Sequence, residues 1–228
     1  MRCTSLLLAA LLLAQNGWTI PYQPVEFMNA IEEKEQGADV HLDKIHEMVN
    51  HLARYAGEYP TKLDNDADHA KMVENVKAFN GQLGYLIKTI IPEDSPEYPY
   101  FVREQARLGV IAHNLDIPNA AAGADRIYQW LLGQFKGKEL ADIQQEYGIF
   151  LANSGQTERA ITQLKAAYES DNTGAAKALA IAYLGNQDTT KGQRMLEAYI
   201  KNYPDDLDAQ KLLEVVKEGK IEVKEVKP

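Results

Sequence analysis

The chain has 228 residues, 45% hydrophobic and 25% charged, a balance ordinary for a globular protein long enough to bury a core without staples. A net charge of −9 and a pI near 5.1 exclude the basic footprint that nucleic acid requires, and anionic membrane surfaces should repel such a chain. The single cysteine, Cys3, sits at the extreme N-terminus, so the rest of the sequence has no thiol for a disulfide or a metal.

In chain order, Arg2 supplies a positive end and Ser5–Ala14 is an uncharged, mostly apolar run. It falls short of the ~20 apolar residues that span a bilayer as a helix and suits the core of a secretory signal. Residues 1–17 are therefore expected to be a signal peptide, leaving a periplasmic protein with no membrane span after its removal. Residues 18–39 carry two early prolines and then a charge cluster without periodicity, and read as an exposed leader. Residues 40–95 are expected to form a helical hairpin. Its first helix, about 41–59, places Leu42, Ile45, Val49, Leu52 and Tyr55 on one stripe, and Pro60 follows. Its second, about 66–91, keeps Met72, Val76, Phe79, Leu83 and Leu86 together across Gly81 and Gly84. Ser95, Pro96 and Glu97 read as cap, first helical residue and favourable acid of a helix running to about Asn114. After a turn over 115–123, Ala124, Tyr128 and Leu131 read as a second helix packed on the first.

From Glu139 onward one hairpin pattern is written twice. Gly148, Ala160 and Ala167 recur as Ala180, Gly192 and Tyr199, each at an offset of 32 (180 − 148, 192 − 160, 199 − 167). A fixed period carrying small residues at the close approach of two helices is the mark of stacked helical hairpins. These residues, with Gly155 at a turn and Pro204 at an exit, resemble the tetratricopeptide repeat; Gln187 and Asn172 stand where that family places its turn glycine and exit proline. The resemblance implies an all-α, right-handed stack of antiparallel hairpins over 96–218, a TPR-like α-solenoid following an irregular helical N-terminal half. Asp206 is the expected cap of a closing helix to Lys217, with Ala209, Leu212, Leu213 and Val216 inward. Residues 219–228 carry no helical signal and read as a disordered tail.

Candidate chemical sites are few. His41, His46 and His51 are spaced by five, which turns each about 140° from the last on a helix and prevents their convergence on one metal. The run Asp64–Asp68 lacks the glycine and the terminal glutamate of a calcium loop and reads as a helix cap. No phosphate loop, nucleophile elbow or dinucleotide fingerprint occurs. No catalytic residue, metal or cofactor is expected.

The resemblance implies instead a protein-binding groove lined by first helices: Gln145, Ile149 and Asn153 in one hairpin, Lys177, Ile181 and Leu184 in the next, with Arg103, Val110, His113 and Asn114 extending it. Amides and cations beside apolar residues suit an extended peptide or a partner helix. The expected function is a non-catalytic scaffold or chaperone of the bacterial envelope. One alternative is self-assembly, a homodimer through Tyr199, Tyr203 and the closing helix. The other is an all-α enzyme with converging ionisable groups such as Asp66, His69 and His113.

Overall fold

The structure, a computed structural model, describes residues 21–35 and 37–219. The expected signal peptide at 1–17 and residues 220–228 of the expected tail lie outside the described residues. The described chain is all-α apart from one short hairpin, and divides into two compact units whose boundary falls between Gln134 and Phe135.

In the N-terminal unit, α1 (Leu42–Ala56) buries Ile45, Val49, Leu52 and Tyr55, as their spacing predicts. Helix α2 (Asp66–Thr89) begins at Asn65, whose Oδ1 accepts from the Asp68 amide at 3.0 Å, so the acidic run is a cap. Met72, Val76, Phe79, Leu83 and Leu86 are buried along it. Helix α3 (Tyr98–Asn114) starts later than expected. Residues 95–97 form a turn in which Ser95 O accepts from Tyr98 N, Pro99 occupies the first helical turn, and the Ser95 hydroxyl is buried without a partner among the described residues. Helix α4 (Ala120–Leu131) folds back on α3. A Cβ on Gly109 would stand 3.0 Å from the Ala124 Cβ, so this hairpin also closes on a small pair, with three more residues between them than in the later hairpins (124 − 109 against 160 − 148). The boundary expected at residue 95 instead falls inside this unit, where α2 packs on α3.

The leader also needs correction. Residues 31–33 and 38–40 pair as an antiparallel hairpin, β1 and β2, in the register Ile31↔Val40, Glu32↔Asp39, Glu33↔Ala38. Its apolar alternation is too thin to announce a strand. An ion pair of Lys34 with Asp39 and a hydrogen bond between His41 and Glu32 replace it, around a left-handed Gly37 at φ +94°. Upstream, Tyr22, Phe27 and Ala30 are buried, so the segment belongs to the core.

The C-terminal unit holds α5 (Gly137–Asn153), α6 (Thr157–Glu169), α7 (Ala175–Gly185), α8 (Thr189–Asn202) and α9 (Leu207–Lys217), each packed on the next. The two hairpins close at the expected small residues. A Cβ on Gly148 would lie 2.5 Å from Leu164 Cγ, and one on Gly192 2.5 Å from Leu184 Cδ2 and 3.2 Å from Ala180 O. The roles are exchanged between copies: the glycine sits on the first helix in one and on the second in the other. Gly155 turns at φ +73° and Gln187, its counterpart (155 + 32), at φ +61°. Val216 of α9 joins Ala180, Leu184 and Leu196 in one apolar cluster, flanked by the half-buried Met195, Leu212 and Leu213.

Candidate functional site

Six of the ten groove residues in the expected lining lie on α5 and α7 of the C-terminal unit, and they divide into two sets. Ile149 and Ile181 occupy the same place in consecutive hairpins (149 + 32 = 181) on helices that pack together. Ile149 is 37% exposed and Ile181 half-buried. Asn153, one turn beyond Ile149, is half-buried, and its side-chain amide makes no hydrogen bond among the described residues. Gln145, one turn before, accepts at Oε1 from Asn172 Nδ2 at 2.8 Å, which leaves its amide hydrogens for another acceptor. These four present apolar contact flanked by amide groups.

The remaining two are engaged within the unit: Leu184 is corrected to a core residue, and Lys177 carries an ion pair. Leu184 is 7% exposed and lies in the apolar cluster against Gly192. Its true counterpart in the first hairpin is Ala152 (184 − 32), which is also buried; Asn153 corresponds to Gly185. Lys177 is tied to the closing helix: its Nζ stands 2.7 Å from Asp206 Oδ2 and 5.7 Å from the Tyr199 ring centre. Asp206 also accepts from the Tyr199 hydroxyl at 3.0 Å and, through Oδ1, from the Ala209 amide at 2.9 Å. The Lys177 ammonium, followed by the amide bond of Ala209, holds the Asp206 carboxyl well below its usual range, at about 2.

Beside this face lies an open recess of about 560 Å³ that periodicity does not announce. Lys138 and Asp142 of α5, the turn Asn172–Gly174 and Tyr203 line it. Asn172 Nδ2 binds Asp142 Oδ1 at 3.1 Å as well as Gln145, and the Thr173 and Tyr203 hydroxyls meet at 3.1 Å. The one signal in the sequence is a departure: Asn172 stands at the exit where the resemblance calls for proline, and its amide holds the turn to α5. The recess offers an ammonium, a carboxylate and hydroxyls, the polar complement of the Ile149–Ile181 strip.

The other four groove residues lie on α3 of the N-terminal unit. Asn114 is corrected to a structural role: it is 3% exposed and donates through Nδ2 to Ala56 O at 2.9 Å, satisfying a carbonyl at the end of α1. His113 is half-buried, and that burial pulls its imidazole below the ordinary pKa against the opposing pull of Asp116. Arg103 and Val110 are also half-buried. The spaced histidines go to separate partners: His41 to Glu32, His46 to the buried Glu104 at 2.8 Å, and His51 to the Gln23 carbonyl at 2.8 Å. Arg107 braces Glu104 at 2.8 Å and Asn50 at 2.5 Å, so this cluster of charges joins α3 to α1.

Among the described residues no group of three histidine, cysteine, aspartate or glutamate side chains is arranged to hold a metal ion, and no helix is long and apolar enough to cross a membrane. An apolar cavity of about 260 Å³ in the N-terminal unit is lined by Asn80, Gln105, Ala112, Ile117, Gly123 and Ile127 among others, and by none of Asp66, His69 and His113. Comparison with protein-family models, with curated proteins and with solved structures finds no match to this chain.

Proposed function

We infer that the chain is an exported, tetratricopeptide-repeat-like protein that binds other proteins in the bacterial envelope as a non-catalytic scaffold or chaperone. Its partner lays an extended segment or a helix along the α5–α7 face. One observation carries the reading: Ile149 recurs as Ile181 one period later, with Asn153 and Gln145 a turn to either side of Ile149. A repeated apolar position flanked by amides is what a peptide with alternating side chains requires, since the amides take its main chain and the isoleucines its apolar groups. The adjoining recess, with Lys138 and the Thr173 and Tyr203 hydroxyls, receives a polar group of the same ligand. Export rests on the Arg2 and Ser5–Ala14 pattern.

The test is a pull-down from an envelope fraction with the chain as bait, against a variant carrying Ile149→Ser, Asn153→Ala and Ile181→Ser. Lys177 and Leu184 are left intact because they hold the unit together. A partner kept by the wild type and lost by the variant, at unchanged helical circular dichroism, supports the face. A partner held equally by both moves the interface elsewhere.

A further inference from the structure

The cavity of about 260 Å³ in the N-terminal unit lies where α2, α3 and the start of α4 meet. Charged residues make up 25% of the whole chain, yet none of the residues lining this cavity is charged. Ala112, Ala124, Ile117 and Ile127 supply apolar wall, and the two isoleucines are only half-buried. Asn80 of α2, Gln105 of α3 and Asn119 at the start of α4 bring three side-chain amides to the same lining. None of the three makes a side-chain hydrogen bond among the described residues, and Asn119 leaves the end of α4 uncapped although it stands at the cap position. Each amide therefore keeps a donor and an acceptor for another molecule.

The glycines around the cavity point the same way. Glycine inside a helix is unfavourable relative to alanine, so each one calls for a reason. Gly109 has its reason in the close approach to Ala124. Gly84 of α2 makes room for the Gln105 amide: a Cβ there would stand 2.9 Å from Gln105 Nε2 and displace it. Gly123 of α4 lines the cavity, and a Cβ there would meet nothing within 4 Å. Helix packing thus gives no reason for Gly123, and the reason for Gly84 is the place of an amide on the cavity wall.

We propose that this cavity is a binding site for a small uncharged molecule with an apolar body and an amide group. An ionised ligand would lose its hydration against a lining that offers no counter-charge, which is costly. A hydrocarbon would strip water from three amides and return no bond to them. A cavity of ~150 Å³ holds benzene, so one of about 260 Å³ takes a molecule of about ten heavy atoms. The apolar body lies against Ile117 and Ile127, and the ligand amide exchanges hydrogen bonds with Asn80, Gln105 and Asn119. This site is separate from the α5–α7 face and stands whether or not that face binds a partner.

The test titrates the nitrogen-15-labelled full chain with phenylacetamide, a probe of that size, and with phenylacetate, which has the same shape and a charge. Phenylacetamide should give saturable NMR shifts centred on the amides of Gly109, Gly123 and Ala124, and phenylacetate should bind at least about tenfold more weakly. Gly123→Leu extends a side chain into the cavity and should weaken phenylacetamide by about tenfold or more at unchanged helical circular dichroism. Gln105→Leu removes one amide and should weaken it by about fivefold. Should Gly123→Leu fail to fold, Gln105→Leu and the comparison of the two probes on the wild type carry the test. Absence of saturable shifts in the wild type overturns the site. Shifts undiminished in the folded variants place the binding elsewhere and overturn it as well. Equal affinity for phenylacetate overturns the uncharged class of ligand.

Discussion

The two units are stabilised by different means. In the C-terminal unit closure is local and repeated: each helix packs on its neighbour in sequence, and Gly148 and Gly192 allow the approach at the same point of consecutive hairpins. In the N-terminal unit, beside the local α3–α4 hairpin, closure is remote and unrepeated. Tyr22 reaches Asn75 across 53 positions, Asn114 reaches Ala56 across 58, and His46 reaches Glu104 across 58. The lesson concerns where sequence information resides. A repeat shows its packing twice within one period, whereas a long-range polar bond leaves no spacing to detect.

The strongest way to break this contrast is to remove a distant anchor. Phe27→Ala deletes a buried ring packed on Phe79 and should cost about 3–4 kcal/mol in chemical denaturation. An exposed leader would lose nothing, so an unchanged midpoint would return residues 21–30 to that reading.

The local closure of the C-terminal unit is tested by a matched pair of glycines. A Cβ at Gly148 would meet the branch point of Leu164 at 2.5 Å, so Gly148→Ala should destabilise by about 1–2 kcal/mol despite the better helix propensity of alanine. Gly81, exposed in α2 with nothing within 4 Å of its would-be Cβ, should gain about 0.5–1 kcal/mol on the same change. Equal effects at the two sites would sink the close-approach account of the repeat.

A third comparison is electrostatic. The folded Asp206 carboxyl titrates near 2, against about 3.9 for an unfolded aspartate. Above pH ~4 both states are ionised and the whole contribution is present. As pH falls through that value the unfolded chain takes up a proton first, and the stabilisation drains away until the folded group is protonated near pH 2. The ion pair with Lys177 is partly solvated, so the loss should be about 1 kcal/mol, and Asp206→Asn should flatten this part of the acid profile. An unaltered profile in that variant would remove Asp206 as the link between α7 and α9.

These contrasts explain which features were legible in the sequence. The caps at Asn65 and Asp206 and the apolar stripes of α1 and α2 were readable because cap and stripe are set within a few residues. Leu184 was misplaced by a single residue of register: 153 + 32 is Gly185, and on a helix that one step turns a side chain from the face into the core. Lys177 and Asn114 looked like surface residues because type alone does not show a partner, and theirs lie 29 and 58 positions away. The recess at Asn172 and the strap at 21–27 were missed for the same reason: each is held by side-chain bonds spanning 27 to 53 positions.

The smallest expected effect refines the likeness between the two hairpins of the repeat. Gly155 and Gln187 make the same left-handed turn, at φ +73° and φ +61°, but only glycine reaches that region without a Cβ strained against its own backbone. Gln187→Gly removes this strain and returns part of the gain to the unfolded chain, whose glycine has more conformations to lose. The net should be a stabilisation of about 0.5 kcal/mol, readable as a small rise in denaturation midpoint, while Gly155→Gln should cost about 1 kcal/mol. If Gln187→Gly instead destabilises, the glutamine side chain contributes something at the α7–α8 turn that outweighs its backbone strain. The two turns would then be alike in shape and different in what holds them.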